Sequence, residues 1–337
     1  MPRSSRIDSP GALHHIIFRG IDRRKIFRDD EDRDNFVDRL GRILTDTGTP
    51  CFAWALIPNH VHLLIRTGKT PLSRVMRRLL TGHAVWFNRR HHRHGHVFQN
   101  RYKSILCQED PYLLELVRYI HLNPKRAKLI KNMKELDEYP YSGHSALAGT
   151  IEHPWQDTET VLRRLSDDPE QAQKQYHTFI ADGFRMGKRD DLIGGGLLRS
   201  LGGWVSVKEL RKDGIRMVSD ERILGDSDFV AEALRKAEED LEKKTRLIRE
   251  GLNVRKAAER AATLFDLPVD DILRPSKSPL RSQARCVFCY WAVRELDHST
   301  TSVARYLGLS QSAISKAVMR GERLVHDSDF QLEDRKL

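Results

Sequence analysis

The sequence predicts an α+β domain on an antiparallel sheet, followed by a region that is helical to its end. Two observations predict it. Over residues 13 to 129, apolar runs of strand length and longer stretches of helical period follow one another in the order β-α-β-β-α-β-α. That order is the ferredoxin-like arrangement with one added helix. Beyond residue 150 the patterns are helical, and 337 residues suffice for two or three domains. The expected division is 1–150, a mostly helical connection over 151–250, and a helical domain over 251–330.

Each element has a local reason. Leu13 to Arg19 reads as a strand ended by Gly20. Asp29 to Thr47 carries apolar residues at Phe36, Leu40, Ile43 and Leu44 after an acidic first turn, which suits the positive end of a helix dipole. Cys51 to Ile57 and the run from His60 to Arg66 form two strands joined by Pro58-Asn59, a hairpin. Pro71 to Arg90 is a helix with Val75, Leu79 and Phe87 on one side and arginines elsewhere. Val97 to Leu106 reads as a strand, and Asp110 to Leu129 as a helix. Pro124 disfavours α geometry at Asn123 and is expected to end or kink that helix. Gln156 to Gly183 is helical and polar, Gly194-Gly195-Gly196 is a break without the Lys-Ser/Thr of a phosphate loop, and 219–250 is a charged helix.

The charge is uneven. The net charge is +11, and residues 60 to 130 hold fourteen lysines and arginines against three acidic residues. Residues 274 to 326 hold nine against three, while 131 to 273 hold 23 against 28. Two basic zones around an acidic middle point to two nucleic-acid surfaces rather than to evenly solvated helices. No apolar run reaches the ~18 residues of a membrane span, and the amino-terminal residues lack a signal-peptide core, so the expectation is a cytoplasmic protein without a membrane partner. Cys286 and Cys289 have C-x-x-C spacing but lie in an apolar helical run without a second ligand pair, which suits reduced core thiols better than zinc.

Two stretches carry chemistry. In a strand, side chains two apart share a face, so His60 and His62 point together, about 6 to 7 Å apart by strand rise, and can share one divalent cation. On the helix ending in Arg118-Tyr119-Ile120-His121-Leu122-Asn123-Pro124, Tyr119 and Asn123 are four apart and share a face. A tyrosine beside such a pair suggests nucleophilic attack on a phosphodiester. Tyr112, seven residues earlier, and Tyr102, on the preceding strand, are rival nucleophiles. His121 points away from Tyr119. One of His14 and His15 must face inward, as structure near the site. His91, His92, His94 and His96 sit in a polar connection, where imidazoles are usually solvated or face phosphates.

The second basic zone has helix-turn-helix form. Thr301 to Gly308 and Ser310 to Arg320 are two helices about a short turn, with Ala304 small at the crossing and Ile314 anchoring the second. Ser310, Gln311, Ser312, Ser315 and Lys316 are then candidates to contact double-stranded DNA. A helical hairpin with only a packing role is the alternative.

Phe18-Arg19-Gly20, Pro58 to Leu64, Phe98 to Lys103 and Arg118 to Pro124, in that order, resemble the motifs of the single-tyrosine HUH transposases, especially the REP-associated tyrosine transposases. The resemblance covers residues 10 to 145. It implies the HUH nuclease fold, a 5′-phosphotyrosine on Tyr119, a Mg²⁺ or Mn²⁺ ion, Asn123 completing the ligand set of His60 and His62, and hairpin-bearing single-stranded DNA as substrate. Arg101 and Lys103, in the third motif, are candidate DNA contacts. Residues 253 to 326 resemble the DNA-binding domain of the initiator DnaA, and match a generic helix-turn-helix equally well. The expectation is a metal-dependent DNA nicking and joining enzyme, monomer or homodimer. The alternatives are a DNA-binding regulator with an idle nuclease domain, and an HUH replication initiator or relaxase.

Overall fold

The computed structural model describes residues 7, 11–186, 189, 192, 220–249, 251–274, 278–296 and 298–332. Gly194-Gly195-Gly196 lies outside them. The chain forms two compact units, Met1–Leu234 and Arg235–Leu337.

In the first unit, the sheet has the order β2-β3-β1-β4-β5. Its strands are β1 (Leu13–Arg19), β2 (Cys51–Ile57), β3 (His60–Arg66), β4 (Lys103–Cys107) and β5 (Ile223–Leu224). The first four pair antiparallel, as expected of the ferredoxin-like order. Beside these four, a short fifth strand, β5, pairs parallel with β4. A parallel neighbour needs a long connection, and a two-residue strand has no readable period.

Alternation along the strands gives the sheet two buried faces. Ile16, Phe18, Val61, Leu63 and Ile65 face α1 (Asp30–Thr47) and α2 (Leu72–Arg90). Leu13, Ala53, Ala55, Leu64 and Ile105 face α3 (Glu109–His121). The N-terminus of α1 is capped by Asp29, whose carboxylate accepts from the Asp32 amide at 3.1 Å. The outer edge of β2 is covered by chain that returns much later. The Leu56 amide donates to Tyr141 O and the Gly143 amide to Trp54 O, each at 2.9 Å, which blunts an otherwise open edge.

The remaining helices of this unit are α4 (Asn123–Arg126), α5 (Met133–Asp137), α6 (His144–Leu147), α7 (Thr158–Arg163) and α8 (Pro169–Phe184). Val161, Tyr176 and Ile180 join the α3-side core. Three expected elements change. The helix of Tyr119 stops at His121, and Asn123 begins a separate turn, because Pro124 excludes continuation. The helix expected over Gln156 to Gly183 divides into α7 and α8, the second capped by Asp168 with Pro169 at its first position. The strand expected from Val97 starts only at Lys103, with Phe98 making an isolated bridge to Gly20. Tyr102 therefore lies ahead of the strand, not on it.

The helix α9 (Ser227–Arg249) spans the junction of the two units. The second unit further contains α10 (Val254–Leu264), α11 (Val269–Leu273), α12 (Pro279–Tyr290), α13 (Thr300–Leu307) and α14 (Gln311–Ser328). The apolar helical run of Cys286 and Cys289 begins at Pro279 and passes into a π turn at Trp291–Glu295. Gly308 adopts φ 63°, a left-handed cap between α13 and α14. A very close helix approach occurs at Gly321. A Cβ on Gly321 would lie 1.9 Å from the carbonyl oxygen of Cys286, so α12 and α14 cross backbone to backbone. Cys286 and Cys289 are free, buried thiols, and burial pushes Cys289 up to about 12. No helix among the described residues is long and apolar enough to cross a membrane.

Candidate active site

The site forms where the α3 face of the sheet opens beyond the end of β1. His60 and His62 stand on that face of β3, where His62 pairs across to Ile17 and His60 to Arg19. Their ring centroids are 5.1 Å apart. The Tyr119 ring, on α3, lies edge-on 5.8 Å from that of His62. Asn123, one turn further on, donates from Nδ2 to the Tyr119 carbonyl at 3.1 Å. An open cleft of about 830 Å³ is lined by His60, His62, Tyr119, Asn123, Arg101 and Lys103, together with Arg19 and Arg126. The rival tyrosines do not line it. Tyr112 packs against the α3-side core, and Tyr102 is buried in the other core.

Hydrogen bonding assigns the nitrogens. His60 Nδ1 lies 2.7 Å from Asn59 Oδ1, and His62 Nδ1 lies 2.9 Å from His15 Nε2. A neutral imidazole bonded through Nδ1 keeps Nε2 for the cleft. Burial, with Arg19 nearby, lowers His60 to about 4 and holds His62 well below the usual imidazole value, so both rings are neutral near pH 7. The cleft is cationic overall. Arg126 donates to the Tyr119 carbonyl at 2.6 Å, and its guanidinium stacks 4.7 Å from the tyrosine ring centroid. Burial lowers the Arg126 pKa.

Two neutral imidazoles and the Asn123 amide oxygen form a mixed nitrogen and oxygen donor set that could hold a divalent cation and would leave positions open for phosphate oxygens. No group of three or more His, Cys, Asp or Glu side chains that could hold a metal ion occurs among the described residues, so a cation here would depend on that amide.

Other histidines differ from expectation. His14 and His15 are both buried, not one inward and one outward, because both faces of the sheet are covered. His14 Nδ1 pairs with Ser104 Oγ at 3.0 Å, and burial lowers it to about 4. His15 backs His62 directly. The adjacent histidines were the only signal for it, since the contact spans 47 positions. His91 is not solvated but bonds Asp32 at 2.9 Å, joining the end of α2 to the start of α1. His121, by contrast, stands as expected, away from the cleft and in a buried network with Tyr176.

Ser310 caps α14, accepting from the Ala313 amide at 3.2 Å and pairing with the Ser312 hydroxyl at 3.0 Å. Gln311 donates to the Thr300 hydroxyl at 3.0 Å. Lys316 is exposed and Ser315 half-buried on the same helix.

Comparison with known proteins supports the amino-terminal resemblance. Residues 10–123 match the family model described as "Transposase IS200 like", so this segment carries the pattern of the IS200-like transposases. The chain is similar to the structure of a REP-associated tyrosine transposase bound to a REP hairpin, with 16% identity over 46% of this chain and 90% of that one, at a TM-score of 0.37. It is also similar to a putative transposase from Deinococcus radiodurans R1, with 20% identity over 36% and 94% of the two chains, at a TM-score of 0.26. No curated protein sequence is significantly similar to the chain.

Proposed function

We propose, from the IS200-like pattern of residues 10–123 and the cleft within it, that the protein cleaves and rejoins single-stranded DNA bearing hairpins through a 5′-phosphotyrosine on Tyr119. The observation that carries this reading is the convergence of His60, His62, Tyr119 and Asn123 on one cationic cleft. In the step, the Tyr119 oxygen bonds to phosphorus and gives up its phenolic proton to solvent, while the bond from phosphorus to the 3′ oxygen breaks and that oxygen takes a proton from solvent to leave as a hydroxyl. The released 3′-hydroxyl can attack the phosphotyrosine, so joining needs no separate energy source.

His60, His62 and Asn123 would hold Mg²⁺ or Mn²⁺. When bound, that ion polarises the scissile phosphate and offsets charge on its oxygens. His15 acts as a positioning residue. For His62 to offer Nε2 its proton sits on Nδ1, so His15 Nε2 accepts and His15 carries its own proton on Nδ1. Arg101, Lys103 and Arg19 would hold phosphates of the bound strand. Residues 251–330 would bind double-stranded DNA through the exposed face of α14, where Lys316 stands.

The test is incubation with hairpin-bearing single-stranded DNA and Mn²⁺. A covalent adduct should form, and peptide mapping should place the DNA remnant on Tyr119. Tyr119→Phe should stay folded, bind metal and DNA, and form no adduct. Recovery of the remnant on Tyr112 or Tyr102 would reassign the nucleophile.

A further inference from the structure

The cleft of Tyr119 does not end at Arg101. Gln99, Asn100 and Arg101 form its rim and are also the near wall of a second open groove of about 740 Å³. That groove runs between the segment before β4 and the exposed stripe of α2. Ser73, Arg77, Thr81, Ala84, Val85 and Asn88 recur at helical spacing along it. Its far wall is shared in turn. Arg77 and Thr81 border a third basin, about 550 Å³, that also holds Arg39, Arg42 and Arg78. Three adjoining concavities thus follow one another past α2, with common residues at each junction.

The chemistry changes along this path. The middle groove is mainly apolar, floored by Met76, Leu80, Ala84, Val97 and Phe98, with Val85 54% exposed on its lip. Its cations, Arg77 and Arg101, stand at the two junctions. The last basin gathers four arginines against one carboxylate, Asp46, which Arg78 engages at 2.7 Å. Burial, with Arg42 beside it, lowers the Arg39 pKa, and a bound phosphate would offset the repulsion between these guanidiniums. A duplex keeps its bases stacked inside and would find nothing to bind in an apolar groove. An unpaired strand presents both base faces and phosphates, and needs an apolar platform between cationic ends.

We propose that this path, from Arg101 across α2 to the arginine basin, carries the single-stranded DNA that flanks the scissile phosphate. The proposal rests on the function proposed for the Tyr119 cleft and extends it to a second contact zone on α2.

The experiment uses the full chain and oligothymidylates of six and twenty nucleotides, followed by fluorescence anisotropy across a salt series. A paired Arg42→Gln, Arg77→Gln variant should lose about tenfold in affinity for the longer strand, while the six-nucleotide strand changes less than twofold. Its salt slope for the longer strand should shrink by about 1.4, at ~0.7 for each of two lost phosphate contacts. Ala84→Trp should weaken binding of the longer strand at an unchanged salt slope, because it fills the groove and removes no charge. Photo-crosslinking with 4-thiothymidine strands should label peptides containing Leu80 to Asn88. Equal loss of affinity for a twenty-base-pair duplex would make the occupant a duplex backbone and overturn the proposal. So would wild-type affinity in all variants, or crosslinks confined to residues 251–332. These readouts need no cleavage, so a protein that forms no Tyr119 adduct but passes them would sink the nuclease reading alone.

Discussion

Replacing Tyr176 with phenylalanine tests whether the helical segment after the sheet is part of the catalytic fold. The Tyr176 hydroxyl lies 2.8 Å from both His121 Nδ1 and His144 Nδ1, and all three residues are fully buried. His144 Nε2 faces Asp137 Oδ1 at 2.8 Å, so it must donate there, which leaves His144 Nδ1 as an acceptor. Tyr176 therefore donates to His144 and accepts from His121 Nδ1–H. The chain of bonds ties the end of α3, two residues beyond Tyr119, to α6 and α8. Phenylalanine keeps the ring and its packing but strands one buried donor and one buried acceptor. At about 1 to 3 kcal/mol for each of the two orphaned groups, the loss should be about 2 to 6 kcal/mol. That is a large share of the ~5–15 kcal/mol typical of a domain. Urea unfolding followed by tryptophan fluorescence measures it. A change below about 0.5 kcal/mol would show that the hydroxyl adds nothing net and that the bonding scheme is wrong.

Three further outcomes are expected. His15→Leu removes the acceptor behind His62 and should weaken Mn²⁺ binding about 10- to 100-fold in an electron paramagnetic resonance titration, and unchanged affinity would remove His15 from its positioning role. Gly321→Ala places a Cβ against the Cys286 carbonyl, which cannot move aside, so the second unit should lose its cooperative melting transition, and a wild-type melt would contradict the close crossing. Acid should destabilise the first unit early. Burial lowers His14 and His83 to about 4, so between roughly pH 6.5 and 4 the unfolded chain binds more protons than the folded one. Stability is complete above about pH 6.5 and falls as pH drops toward 4, by up to ~1.4 kcal/mol per pH unit for each histidine. Equal stability at pH 7 and 4.5 would refute this.

Local rules in the sequence determined a good deal of this protein. The period of two placed His60 and His62 on one face, Asp29 and Ser310 marked helix starts, and Pro124 separated Asn123 from the helix of Tyr119. Each of these depends on residues within one turn or one strand, and such signals survive without knowledge of the fold. The tertiary structure alone decided what those residues meet. His15 reaches His62 across 47 positions, and Tyr176 reaches His121 across 55. The parallel strand Ile223–Leu224 is too short to show a period, and Gly321 reads as an ordinary helical glycine until Cys286 packs on it. Pairings between segments far apart in sequence are chosen by how two buried faces close on each other, and neither segment carries a local mark of its partner.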